Sequence, residues 1–242
     1  MGYKALDQVS VEIEEGEFVT ILGSSGCGKT TLIKTINRLY EPDSGEIYLY
    51  GKNIMDTDPV ELRRGIGYVI QQIGLFPHMT VRDNIATIPK LLKWDKKTID
   101  PQVDRFLELV QLDPAEFRNR YPSQLSGGQQ QRIGLARALI ADPKVMLLDE
   151  PFGAIDAINR EKLQNELKNI HTQSHKTYLF VTHDIREAFK LGTKVIIMNQ
   201  GKILQYATPQ EIFSHPADQF VEELIRTTSD KAKDYVHDGE GI

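Results

Sequence analysis

Two stretches of this chain carry residue types suited to holding phosphate. Residues 23–31 read GSSGCGKTT. Gly23, Ser24, Ser25, Gly26, Cys27, Gly28, Lys29 and Thr30 fit GxxxxGK[ST], and Thr31 completes the stretch. In that pattern glycines let backbone N–H groups close on phosphate oxygens, the lysine reaches the β and γ phosphates, and the hydroxyl serves Mg²⁺. Far downstream, LSGGQQQRIGLARAL (125–139) opens with Ser126-Gly127-Gly128-Gln129, which has capping-box form, and Ile133, Ala136 and Ile140 mark one apolar helical face. A cap serving stability alone has no use for two glycines, each about 1 kcal/mol worse than alanine inside a helix. They make sense where a ligand approaches the backbone. On these residues alone, a capped helix with permissive glycines stays open as the other reading.

LLDE (147–150) ends an apolar run and places Asp149 and Glu150 at the carboxyl edge of a sheet, where ligands of open α/β sheets sit. Asp149 suits the Mg²⁺ shell and Glu150 the polarisation of an attacking water, because phosphoryl transfer needs charge stabilisation and an oriented nucleophile more than covalent help. His183 likewise follows an apolar run, YLFVT, from which it can donate to a γ-phosphate. As a lone histidine it also fits an ordinary role without a ligand, which is how His78, His171, His175, His215 and His237 are read.

These residues need a scaffold. VSVEI (9–13) and EFVTIL (17–22) alternate like strands, and an apolar helix (32–40) follows the phosphate loop, giving a strand, loop, helix unit. PDSG and EIYLYG (46–51) predict hairpin strands, while 81–121 has the periodicity of helices. KVMLLDE (144–150), TYLFVTHD (177–184) and KVIIMN (194–199) are nearly continuous apolar runs, as expected of parallel strands buried on both faces. The fold class is α/β. Thr208-Pro209-Gln210-Glu211 predicts a capped helix start, and beyond Arg226 the chain turns polar, as a frayed tail or a truncated connection would.

The 242 residues, 40% of them hydrophobic, suffice for a large core. A net charge of −5 without a basic run argues against nucleic acid as a partner. The single cysteine, Cys27, excludes an internal disulfide and fits a reducing compartment. Apolar runs fall far short of the ~20 residues of a membrane span, and no cleavable signal is read, so work at a membrane calls for an embedded partner.

In their order along the chain, GSSGCGKT, Gln71 in YVIQQ, LSGGQ, VMLLDEP, a GAID turn ending in Asp156, and His183 resemble the ATP-binding subunit of ATP-binding cassette (ABC) transporters. The resemblance covers nearly the whole chain. It implies a P-loop NTPase core with a mostly parallel sheet, an antiparallel β-subdomain and an inserted helical subdomain at about 74–140, within a cassette spanning 1–226 and followed by a polar tail, 227–242. It implies ATP and Mg²⁺ as cofactors. Lys29, Gln71, Glu150 and His183 would be catalytic, with Glu150 as base and His183 at the γ-phosphate. Thr30, Gln71 and Asp149 would hold the metal, and residues 23–31, Gln71, Ser126, Gly127, Gly128, Gln129, Asp156 and His183 would surround nucleotide. Two copies would dimerise head to tail, the LSGGQ helix of one covering the ATP on the phosphate loop of the other, with Asp156 contacting across the dimer. Integral membrane permease subunits, and indirectly a solute-binding protein, would complete the assembly on the cytoplasmic face of a bacterial membrane.

More narrowly, residues 54–85, KLLKW (90–94) and HPADQFVEE (215–223) resemble subunits of importers for glycine betaine, carnitine and choline. The chain departs from the family pattern at both ends. Tyr3 lies too close to Ala5 to match the spacing of the family's adenine-stacking aromatic, and the tandem regulatory domain of many such importers is not contained in the sequence. The nearest alternative is a subunit of an amino-acid importer or another ABC transporter. A soluble cassette that remodels ribosomes or DNA would show twin cassettes or a long coiled coil, and a GTPase an NKxD-type guanine reader.

Overall fold

A computed structural model describes residues 4–71 and 74–226 of the chain; Tyr3 and the tail 227–242 lie outside the described residues. The strands, in chain order, are β1 (Phe18–Gly23), β2 (Tyr48–Leu49), β3 (Lys52–Asn53), β4 (Ile66–Val69), β5 (Val145–Asp149), β6 (Thr177–Val181), β7 (Lys194–Asn199) and β8 (Lys202–Ala207). Two compact units are present, Met1–Pro59 with Ser174–Ile242, and Val60–Gln173.

In the first unit β1 is flanked in parallel by β6 and β7, and β8 closes that side antiparallel to β7 with a register shift between Ile197 and Met198. Every residue of β1 and β6 is buried, which is what their uninterrupted apolar sequences require. Ile185, Ala188, Ile212, Val221 and Ile225, from the helices Ile185–Leu191, Pro209–Ser214 and Gln219–Arg226, pack with Leu22, Val195 and Ile197 of the strands. The start of Pro209–Ser214 carries the predicted reciprocal cap between Thr208 and Glu211. β2 and β3 form the predicted small hairpin, turned by Tyr50 and Gly51 with φ of 51° and 73°, a tight reversal whose twist suits an antiparallel pair.

In the second unit β4 and β5 run parallel, Ile66 beside Val145 through Val69 beside Leu148. A Cβ at Gly67 would collide with the Met146 sulfur, so these strands meet where only glycine fits. The helices Val81–Ile85, Lys96–Leu109 and Gly127–Leu139 bury Val81, Ile85, Val103, Leu107, Ile133 and Leu135.

Three readings change. Residues 9–13 form no strand and are mostly exposed: alternation alone is not enough without a neighbouring ladder. The helix after the phosphate loop begins earlier, at Lys29, and ends at Ile36, with Arg38 in the left-handed region at φ 49°. β4 and β8, absent from the sequence reading, are both present. Among the described residues no helix is long and apolar enough to cross a membrane.

Candidate nucleotide site

The phosphate loop leaves β1 at the carboxyl edge of the first unit's parallel strands. A Cβ at Gly23 would strike the Met198 carbonyl, so the loop departs in close contact with β7. It then rises into solvent. Ser24, Ser25 and Gly26 are exposed, and Gly26, at φ 77°, has nothing within 4 Å of where a Cβ would stand, so the backbone here is open to a ligand. Gly28 (φ 108°) is the N-cap of the helix Lys29–Ile36 and has no side chain with which to cap it. Lys29 is buried, and its Nζ donates to the carbonyls of Gly23 (2.8 Å) and Ser24 (2.9 Å), which holds the ammonium inside the curve of the loop. An exposed glycine, a helix N-terminus and a fixed cation suit a polyphosphate. The far side of the loop is braced by the Gly201 N–H, 3.0 Å from the Cys27 carbonyl. Thr30 and Thr31 are half-buried in the first helical turn.

His183 lies at the same edge. Ile21 of β1 pairs with Val181 of β6, and His183, exposed, comes two residues after β6. The following helix start fixes it: Asp184 accepts from the N–H groups of Arg186 and Glu187, Thr182 Oγ1 accepts from the Asp184 N–H, and Thr182 donates to the buried Glu187 carboxylate.

The second unit repeats this edge logic with different chemistry. Gln71 comes two residues after β4 and Glu150 immediately after β5, and Gln71 Nε2 donates to Glu150 Oε2 at 3.2 Å. Asp149 ends β5 and is 2% exposed. Glu150 has φ 48°, a left-handed conformation that costs a non-glycine residue on the order of 1–3 kcal/mol and that eight other non-glycine residues among those described also adopt. Asp156, exposed, accepts from the backbone N–H and side-chain amide of Asn159 (3.1 and 2.7 Å), which hold its carboxyl below the ordinary carboxylate range.

At the second helix start, Ser126 and Gln129 form the full capping box: Gln129 N–H donates to Ser126 Oγ (3.2 Å) and Ser126 N–H to Gln129 Oε1 (2.9 Å). The two glycines separate in purpose. A Cβ at Gly128 would come 3.0 Å from the Ala154 carbonyl, so this glycine is needed for packing within its own unit. Gly127 is exposed, with only the Ala154 Cβ near, at 3.9 Å, and its lack of a side chain leaves backbone accessible.

In the comparison with protein families, residues 6–153 match the model described as ABC transporter. The chain belongs to the ABC transporter family. As a member of it, this cassette is 55% identical over 224 residues to the choline transport ATP-binding protein OpuBA of Bacillus subtilis (strain 168), covering 93% of this chain and 58% of that protein. It is 54% identical to the glycine betaine/carnitine/choline transport ATP-binding protein OpuCA of the same organism, covering 93% and 59%. The chain thus spans less than two thirds of these relatives' length. Among solved structures it resembles the ATP-binding cassette MJ0796, described as a dimeric post-hydrolysis state bound to ADP and Pi, with a TM-score of 0.79 and 36% identity over 86% of this chain and 93% of that one. The α/β fold expected from the sequence is that of these cassettes.

Three polar side chains in the second unit of this ABC cassette were missed by sequence reasoning. Gln131, buried, links the helix Gly127–Leu139 to both ends of the turn after β5. Arg137 of the same helix donates to the Gly74 carbonyl at 2.9 Å and lies over the Phe76 ring; burial pushes its pKa down. Asn84, fully buried, accepts from Phe76 N–H and donates to the carbonyls of Phe76, Met79 and Thr80, so 76–80 is held from within.

Proposed function

We propose that this chain is the ATP-hydrolysing subunit of an ABC importer for quaternary amine osmoprotectants such as glycine betaine, carnitine or choline. The observation that carries the hydrolysis reading is the Glu150 carboxylate, set at the end of β5 in a left-handed conformation and oriented by the Gln71 amide. Glu150 accepts the proton of the attacking water while Gln71 fixes its direction. Lys29 and the amides of residues 24–31 hold the phosphates, and His183 donates to the γ-phosphate. Thr30, Asp149 and Gln71 would hold Mg²⁺. Magnesium takes most of its ligands from phosphate and water, so few protein ligands are called for. An ion held there would neutralise charge developing on the phosphates.

The helix start at Ser126 serves the other copy in a head-to-tail dimer, Gly127 offering open backbone to the γ-phosphate and Asp156 facing the partner. The cassette takes in 1–226, with its helical subdomain at about 74–140. Two permease subunits embed the assembly, a solute-binding protein delivers the cargo, and the chain sits peripherally on the cytoplasmic face of a bacterial membrane.

The substrate class rests on the names of the relatives that align over 93% of the chain. Its test is uptake of labelled choline, betaine, carnitine and several amino acids at raised osmolarity, in cells with and without the gene and lacking redundant importers. Loss of quaternary amine uptake is expected. Unchanged quaternary amine uptake with loss of an amino-acid flux would transfer the subunit to an amino-acid importer.

A further inference from the structure

The turn that follows β5 is tied at both ends by one side chain. Gln131 Nε2 donates to the carbonyl of Glu150 at 3.1 Å, and Gln131 Oε1 accepts the N–H of Ala154 at 2.8 Å. Both polar atoms of its amide are therefore engaged by a single five-residue turn, from the helix whose first residues are Gly127 and Gly128. Neighbouring inward positions of that helix, Ile133, Leu135 and Ala136, are apolar and buried. An amide among them gives up solvation and rotamer freedom, and a leucine would fill the space without that cost. What the amide supplies is directional. Glu150 holds a left-handed backbone that a non-glycine residue does not prefer, and the orientation of its carbonyl is coupled through that backbone to the direction of its carboxylate toward Gln71. The Gly153 N–H, 3.2 Å from the same carbonyl, supports the turn from within, while Gln131 supports it from outside.

We propose that Gln131 is a positioning residue for hydrolysis. It locks the Glu150 peptide and so aims the carboxylate, making the geometry of the base depend on the helix that begins at Ser126. A shift of that helix is then felt at Glu150 through one amide. This rests on the reading of Glu150 as the base.

The test uses the full transporter complex. Gln131→Met keeps the length of the side chain and removes both hydrogen bonds. Turnover is expected to fall about tenfold to a hundredfold, the scale of misplacing a reacting group, with KM for ATP and binding of a fluorescent nucleotide unchanged. A merely structural role would lower bound and active fractions together and leave turnover per folded complex untouched. Placed in a Glu150→Gln background, Gln131→Met is expected to add no further loss in single-turnover hydrolysis, because both changes act on one group. Turnover of Gln131→Met equal to the parent, or losses that multiply in the double variant, would overturn the proposal. Glu150→Gln alone hydrolysing at the parent rate would instead remove the reading of Glu150. Should Gln131→Met melt below the assay temperature, Gln131→Leu, which also removes both hydrogen bonds, is read in the same way and with the same expected outcomes.

Discussion

Replacing Glu150 by glutamine changes one carboxylate oxygen to an amide and leaves shape, backbone and the partnership with Gln71 available. On the assignment proposed above, nucleotide binding is kept and hydrolysis falls about 10²- to 10⁴-fold, the usual cost of losing a general base. Steady-state ATPase of the coupled complex, measured beside equilibrium nucleotide binding, checks this, and undiminished turnover would end the role given to Glu150. At this scale the sequence is informative where chemistry imposes a local pattern. Glycines and a lysine at fixed offsets announce a phosphate loop, and two carboxylates at the end of an apolar run announce a strand-end site. Gln131, Arg137 and Asn84 have no such signature: Gln131 and Arg137 clasp backbone groups far along the chain, and Asn84 clasps an irregular loop, so their meaning exists only after the fold has brought the segments together. Gly128 shows the reverse case. Its presence in LSGGQ reads as room for a ligand, yet the Ala154 carbonyl supplies a packing reason that no local pattern contains.

Among the elements, the short helices of the second unit depend on ionic ties as well as on their apolar faces. Arg82 of Val81–Ile85 donates to Asp100 at 2.6 Å and to Asp83 at 2.9 Å, and Arg118 reaches Asp100 and Asp104 at 3.3 and 3.1 Å. The Arg82 hydrogen bond holds the Asp100 carboxyl below its ordinary 3.8. A carboxyl whose pKa is lowered by folding stabilises the folded state above its unfolded pKa, and that contribution disappears as the pH falls through the lower folded value. Asp100 is 46% exposed, so solvent screening limits its worth, and Asp100→Asn is expected to cost about 0.5–1 kcal/mol near neutral pH. The difference from the parent should shrink at high salt and as the pH falls below 3.8. Urea unfolding across pH and salt measures it; a pH-independent difference would show that packing, not charge, is lost. Element types were legible where an apolar run had the length of a strand buried on both faces, as in β5, β6 and β7. The stretch 9–13 misled because alternation describes a face and not a partner, and β8 went unread because half-buried polar residues in Lys202–Ala207 blur the apolar signal of an edge strand.

For the whole molecule, the two helix starts belong to different compact units, the phosphate loop to the one containing β1 and Ser126 to the one containing β5. They also differ in how their amides are satisfied: Gly28 provides no cap, whereas Ser126 and Gln129 cap each other. If each nucleotide is held by the loop of one copy and the Ser126 helix of the other, lesions at the two starts must segregate in a predictable way. Lys29→Ala should weaken nucleotide binding by its own chain. Ser126→Arg should leave binding by isolated chains intact and block hydrolysis, because its bulk and charge enter the partner's site. Part of its effect is simple loss of the cap, about 1 kcal/mol, and Ser126→Ala, which removes the cap without filling space, measures that part as a loss of stability in urea unfolding. In dimers assembled from one Lys29→Ala chain and one Ser126→Arg chain, one site carries both lesions and the other carries neither. Such mixed dimers should therefore hydrolyse ATP at the single intact site while both homodimers are inactive, a rescue that no arrangement with each site inside one chain can give. Co-purification through two different affinity tags isolates the mixed species for assay. Absence of rescue, together with loss of nucleotide binding by isolated Ser126→Arg chains, would place both helix starts on one nucleotide within a single chain.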